Sequence, residues 1–203
     1  MTKQLLLIDG NSIVFRAFFA MHNQMDKFTN KDGLHTAAIY GFKLMLDHVL
    51  QNFKPDAALV AFDAGKVTFR TKMYDDYKGG RNKTPNELTE QIPYVRELIK
   101  DSGLHSYELA NYEADDIIGT LAKQADDAGY KTLIVTGDRD LTQLASENTT
   151  VAVTHKGVTD TEHYTPAHVE EKLGITPRQI IDMKALMGDS SDNYPGVTKI
   201  GEK

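Results

Sequence analysis

The 203-residue chain has no cysteine, which excludes disulfides and every thiolate metal site, zinc ribbons among them. No apolar run approaches the length that a bilayer span requires. The opening Met1-Thr2-Lys3-Gln4 lacks the charged, apolar, small-residue order of a secretory signal, so a soluble cytoplasmic protein is expected. There is no Gly-x-Ser-x-Gly elbow, no Gly-x-Gly-x-x-Gly and no Walker loop, which leaves serine hydrolases and nucleotide-cofactor enzymes little support. The seven histidines (His22, His35, His48, His105, His155, His163 and His168) offer no ligand pair at one helix face and are read as surface or packing residues. No repeat, low-complexity tract or interdomain linker interrupts the chain. With 40% hydrophobic and 26% charged residues, it has the composition of one well-buried core.

What stands out is a set of nine carboxylates: Asp9, Asp63, Glu113, Asp115, Asp116, Asp138, Asp140, Asp189 and Asp192. Three groups follow short apolar runs that read as strands. Gln4 to Ile8 leads into Asp9, Ala57 to Phe62 into Asp63, and Thr132 to Thr136 into Gly137-Asp138. In an open parallel α/β sheet, ligands bind outside the carboxyl ends of the strands. Acids delivered there by separate strands converge, and converging negative charge calls for a cation. All-oxygen ligation points to Mg²⁺ or Mn²⁺. The net charge of −6 does not argue against a polyanionic partner: setting the nine acids aside leaves 20 of the 29 acidic residues against 23 basic ones, and two divalent ions would offset more.

The alternation of strand and helix predicts a mostly parallel sheet with helices on both faces. Helices are expected over Ser12–Ala20, Thr36–Phe53, Leu88–Ser102 and Glu113–Ala128. The second carries the apolar stripe Ile39, Phe42, Leu46, Val49 and Leu50, and the fourth turns Ile117, Ile118, Leu121, Ala122 and Ala125 inward. Gly103 suits a helix stop. A further strand is expected at Thr150–Thr154, and Thr165-Pro166 and Thr176-Pro177 suit helix openings. Residues 69–85 break the pattern, combining basic residues, aromatics and a glycine pair. They read either as a solvated loop or as a mobile basic lid over a phosphate site, with tyrosines available to stack on bases.

Each acid has an ordinary alternative. Asp9-Gly10 and Gly137-Asp138 suit turns, Glu113 to Asp116 suits the capping of an amphipathic helix, and Asp189 to Asp192 suits an exposed loop. The functional reading rests on joint placement, because a two-metal phosphoryl site needs carboxylates from several elements around ions about 4 Å apart.

Seven segments then carry a resemblance: Leu7-Ile8-Asp9-Gly10-Asn11, Phe15-Arg16-Ala17-Phe18-Phe19, Ala61-Phe62-Asp63-Ala64-Gly65, Tyr77-Lys78-Gly79-Gly80-Arg81, Glu113-Ala114-Asp115-Asp116, Thr136-Gly137-Asp138-Arg139-Asp140, and Gly188 through Val197. In these, and in their order, the chain resembles the 5′-nuclease (flap endonuclease) family, most closely the 5′→3′ exonuclease domains of bacterial DNA polymerases I. The resemblance implies a PIN-like α/β nuclease core over residues 1–203, with an arch or gateway at 69–92. It implies metal-dependent cleavage of DNA at a 5′ flap or single-strand/duplex junction, in replication and repair.

Residue by residue, the resemblance implies an inner metal site at Asp9, Asp63, Glu113, Asp115 and Asp138. Asp116 and Asp140 lie nearby, and Asp189 and Asp192 complete a second region, for two Mg²⁺ or Mn²⁺ ions in all. Lys78 and Arg81 would contact the scissile phosphate. Arg16, Arg70, Tyr77 and Lys83 would lie along the DNA path. Gly196, Lys199 and Gly201 would belong to the hairpin of a helix–hairpin–helix element over 186–203, able to grip duplex phosphates and hold K⁺. The sequence stops at Lys203, where that element's second helix would begin, so a truncated piece of a monomeric protein that continues into a polymerase is expected. The rivals are a PIN-type RNase and a non-catalytic DNA-binding module.

Overall fold

The computed structural model describes residues 2–21, 27–157 and 159–201. His22 and the chain end at Lys203 lie outside the described residues. Six strands form one sheet: β1 (Gln4–Asp9), β2 (Ala57–Ala61), β3 (His105–Tyr107), β4 (Lys131–Thr136), β5 (Thr149–Lys156) and β6 (Asp160–Tyr164), ordered β3-β2-β1-β4-β5-β6. All neighbours run parallel except β5 and β6. β1 sits between β2 and β4, covered on both sides, and this is why Leu5 to Ile8 reads as an unbroken apolar run.

Alternation along the strands divides the core in two. Leu6, Ile8, Val60, Leu133 and Val135 face α1 (Gly10–Met21), α2 (Ala37–Phe53) and α5 (Ile92–Asp101). Leu7, Ala61, Ile134, Val151 and Val153 face α6 (Ala114–Asp127), α7 (Pro166–Leu173) and α8 (Gln179–Met187). Each large aliphatic side chain removed from water here contributes about 1.5–3 kcal/mol. The stripe expected on α2 packs as read: Phe42, Leu46 and Val49 are buried, with Ile39 and Leu50 partly covered. α1 approaches α2 closely at Gly41, where a Cβ would meet the Cβ of Ala17 at 2.7 Å.

Several boundaries differ from the sequence expectation. The single helix expected over Leu88–Ser102 is two, α4 (Asn86–Thr89) and α5, broken at Glu90–Gln91. Pro93 has no N–H to continue the ladder, and the buried Gln91 turns its Oε1 to accept the backbone N–H of Ala38 at 2.8 Å, capping α2 from afar. The pattern-free segment opens as a short helix, α3 (Phe69–Met73). α7 begins at its expected opening, with Thr165 accepting the N–H of His168. α8 starts two residues after Thr176-Pro177, because Gln179 bonds back to Thr176. A two-stranded ribbon, β7 (Gly188–Asp189) with β8 (Tyr194–Pro195), brackets the last acidic loop. Among the described residues no helix is long and apolar enough to cross a membrane.

Candidate active site

Asp9 closes β1, Asp63 lies two residues beyond β2, and Asp138 two residues beyond β4. Since Asp9 is in register with Ala61 and Ile8 with Val135, these acids emerge side by side at the carboxyl edge of the three central strands. Their rotamers are fixed by donors. Asp9 accepts from the N–H of Ser12 (3.0 Å) and from the Thr136 hydroxyl (2.8 Å). Asp63 accepts from the Asn11 amide (2.7 Å) and the N–H of Ala114 (2.7 Å). Asp138 accepts from the N–H of Asp140 at 2.8 Å. Thr136, Ser12 and Asn11 thus support the site, although the sequence marks them only by adjacency to acids.

The first turn of α6 separates the two readings of Glu113 to Asp116. Asp116 is a cap: it accepts the Glu113 N–H at 2.9 Å and a two-pronged bond from Arg70, both prongs at 2.7 Å. Burial works to raise its carboxyl, but those bonds outweigh burial and hold it below the usual range. Asp115 has the opposite environment. Burial, then the charges of Asp9 and Asp138, push it up to about 8 against the opposing pull of Lys78. Burial likewise lifts Asp9 to about 6 despite its two hydrogen bonds, with Asp63 and Asp138 adding repulsion. Among the described residues, no ion pair reaches Asp9, Asp63, Asp115 or Asp138.

Basic groups hold the remaining acids. Lys78 pairs with Glu113 (2.8 Å), Arg81 with Asp192 (2.7 Å), and Lys184 bridges Asp140 (2.8 Å) and Asp189 (2.6 Å). Burial opposes ionisation of Asp189, yet Lys184 and Ser191 keep its carboxyl well below the usual range. Lys184 is a site residue that sequence reading missed; its signal was a lysine one helical turn and one residue ahead of Asp189. Among the described residues, no three acids or histidines stand close enough together to hold a metal ion as they are placed.

The residues expected along a DNA path divide. Arg70 contacts the acids, with Glu113 at 3.5 Å as well as Asp116. Tyr77 differs from the expectation of a ring free to stack on bases. It is buried, and its hydroxyl donates to Glu113 (2.8 Å) and Asp192 (3.3 Å). Tyr74 is likewise stacked, on Tyr194 at 6.0 Å. Arg16 donates to the carbonyls of His155 and Gly157 at the β5–β6 turn. Lys83 is exposed. Gly196, Lys199 and Gly201 lie in the exposed turn after β8. There the Val197 N–H reaches the Leu186 carbonyl at 2.7 Å, and a Cβ on Gly196 would fall 2.2 Å from the Met187 carbonyl carbon.

Residues 4–174 match the 5′-3′ exonuclease N-terminal resolvase-like domain, and residues 175–203 match the 5′-3′ exonuclease C-terminal SAM fold. The chain belongs to the 5′-3′ exonuclease family. Over 201 residues, 99% of the chain, it is 61% identical to DNA polymerase I of Streptococcus pneumoniae, and spans 23% of that protein's length. Among solved structures of this fold, the 5′-exonuclease of bacteriophage T5 with bound divalent zinc is similar at a TM-score of 0.76 and 22% identity, covering 98% of this chain and 72% of the other. A bacteriophage T5 flap endonuclease in a pseudo-enzyme-product complex with DNA and metal ions is similar at a TM-score of 0.76 and 23% identity, covering 98% and 71%. The family match and the mostly parallel sheet agree with the PIN-like nuclease fold expected from the sequence.

Proposed function

We propose that this chain is the structure-specific 5′-nuclease part of a bacterial DNA polymerase I. It hydrolyses DNA phosphodiesters at a 5′ flap or single-strand/duplex junction in the cytoplasm, with divalent ions of the Mg²⁺ or Mn²⁺ class. The single observation that carries the reading is the placement of Asp9, Asp63 and Asp138 at the carboxyl edge of the sheet with Asp115 of α6 near enough to repel them, and with no ion pair to any of the four among the described residues. Hard oxygen donors, several of them half-buried and held by hydrogen bonds that leave further lone pairs open, suit such an ion in kind, and binding it requires the carboxylates to draw closer together than they stand.

In this reading Asp9, Asp63, Glu113, Asp115 and Asp138 hold one ion, with Asp116 and Asp140 beside it, while Asp189 and Asp192 complete a second region. Bound there, the ions supply Lewis acidity for phosphodiester hydrolysis. The chain's own groups do the rest. Thr136, Ser12 and Asn11 orient the carboxylates. Lys78 and Arg81, now paired with Glu113 and Asp192, exchange those partners for phosphate oxygens and offset the charge that develops on them. Arg70 stays on Asp116 and keeps the start of α6 in place. The amides of the 196–201 turn, with carbonyls suited to K⁺, meet duplex phosphates, and recognition is of backbone and shape, not base sequence.

The test is a comparison of a 5′-flap DNA with an RNA of the same shape, both in Mg²⁺. DNA cut at the junction, leaving a 5′-phosphate and a 3′-hydroxyl, with RNA spared, supports the reading. Preferential cleavage of RNA overturns it in favour of a PIN-type RNase.

A further inference from the structure

Tyr77 is buried and Tyr74 is stacked on Tyr194, whereas Phe69 (37% exposed) and Tyr112, which flank the candidate site, keep ring surface open to solvent. Phe69 and Met73 share one face of that helix, four residues apart, and Met73 is 81% exposed. Phe69 is joined to the loop ahead of α6, its N–H donating to the Asn111 carbonyl at 3.0 Å. That contact brings Tyr112 beside it, with ring centroids 5.7 Å apart and tilted 56°. Tyr112 (45% exposed), Leu109 (41%), whose carbonyl accepts the Tyr112 N–H, and Val67 (66%), two residues before Phe69, add exposed apolar surface nearby.

The edge of this surface is basic. Lys72 reaches Asn111 Oδ1 at 3.0 Å, Lys66 is exposed, and the Arg70 guanidinium lies 4.5 Å over the Phe69 ring. This surface also adjoins the candidate active site. Tyr112 directly precedes Glu113, and Arg70 spans from the Phe69 ring to Asp116. Aromatic faces with lysines alongside bind unpaired nucleotides without sequence preference, by stacking and charge.

We infer that Phe69 and Tyr112 form a stacking platform for the unpaired strand of the DNA substrate next to the junction. This rests on the nuclease reading and adds where the single strand lies. The platform discriminates tailed from fully paired DNA, while the acids perform hydrolysis.

The experiment measures equilibrium binding in EDTA, so no cleavage is needed and failure of the nuclease reading remains a separate result. Two DNAs are compared, a duplex with an unpaired 5′ tail carrying 2-aminopurine and the same duplex without a tail. Tyr112→Leu is expected to weaken binding of the tailed DNA about tenfold and to relieve quenching of the 2-aminopurine. Binding of the untailed duplex and the melting temperature should be unchanged, and Tyr112→Phe should behave as the unaltered chain. Phe69→Leu should act in the same direction. Equal losses on both DNAs would assign the ring a structural role and overturn the platform. No loss on either would also overturn it, and would leave the surface to a protein partner.

Discussion

Lys78 and Glu113 are joined at 2.8 Å by an ion pair that ties the segment after α3 to the first turn of α6. The same lysine donates its backbone N–H to the Asp192 carbonyl at 3.0 Å, and Arg81 holds the Asp192 carboxylate. The basic segment is thus laced to acids on two elements, and its cations are in place to trade carboxylate for phosphate.

Replacing Lys78 by Met removes the cation and retains the stem. Single-turnover cleavage should slow about 100-fold, the scale of losing one charge-stabilising donor. DNA affinity should change far less. A large loss of affinity with an unchanged rate would place Lys78 in binding alone.

Lys184→Met leaves Asp140 and Asp189 without their shared partner. The lysine side chain is 36% exposed, so solvent screening limits the loss to about 1 kcal/mol in EDTA. Divalent ions then have two unpaired carboxylates to bind, and added Mn²⁺ should raise the melting temperature more in this variant than in the unaltered chain. An equal or smaller rise would separate this acid pair from ion binding.

Much of the site was legible because central parallel strands are covered on both faces. Gln4 to Ile8 and Thr132 to Val135 announce themselves as apolar runs, and the acids that follow them fall at one edge of the sheet. What escaped lacks a local signature. β3 is an edge strand whose three residues are all exposed, so no alternation marks it. The bond from Gln91 to Ala38 spans 53 residues. Tyr77 looks like any tyrosine in a basic segment, and only the fold places it beneath two carboxylates. Lys184 reads as an ordinary helix-surface residue until β7 brings Asp189 back to it.

Gly196→Ala should disturb the ribbon and the turn beyond it, since a Cβ there meets the Met187 carbonyl carbon at 2.2 Å. Overpacking of this kind costs about 1–3 kcal/mol. The check is hydrogen exchange at the Val197 amide, now bonded to Leu186. Faster exchange there, with the central sheet unaffected, is expected; unchanged exchange would mean the turn accommodates the methyl group.

His168 lies between Glu162 (2.9 Å) and Glu171 (3.0 Å), edge-on to the Tyr164 ring, with Lys172 competing for Glu162. Its hydrogen bond to Glu162, then that to Glu171, raises its pKa above 6.5. A folded-state value above the unfolded one stabilises fully below pH 6.5 and loses that contribution as pH rises through the folded value. Titration of the His168 ring by NMR should give a midpoint above 6.5, and His168→Gln should flatten stability across that window. A midpoint at or below 6.5 would remove the effect.

The most direct test of the proposed nuclease site is cleavage of a 5′-flap DNA in Mg²⁺ by the unaltered chain and by Asp63→Ala, with EDTA and a flap-free duplex as controls. Among the described residues Asp63 accepts hydrogen bonds from the Asn11 amide and the Ala114 N–H alone, so the variant should fold. Junction cleavage that needs Mg²⁺ and disappears in the folded Asp63→Ala variant is the predicted result. Undiminished cleavage by that variant, or cleavage that persists in EDTA, would contradict a metal-dependent site at the carboxyl edge of the sheet.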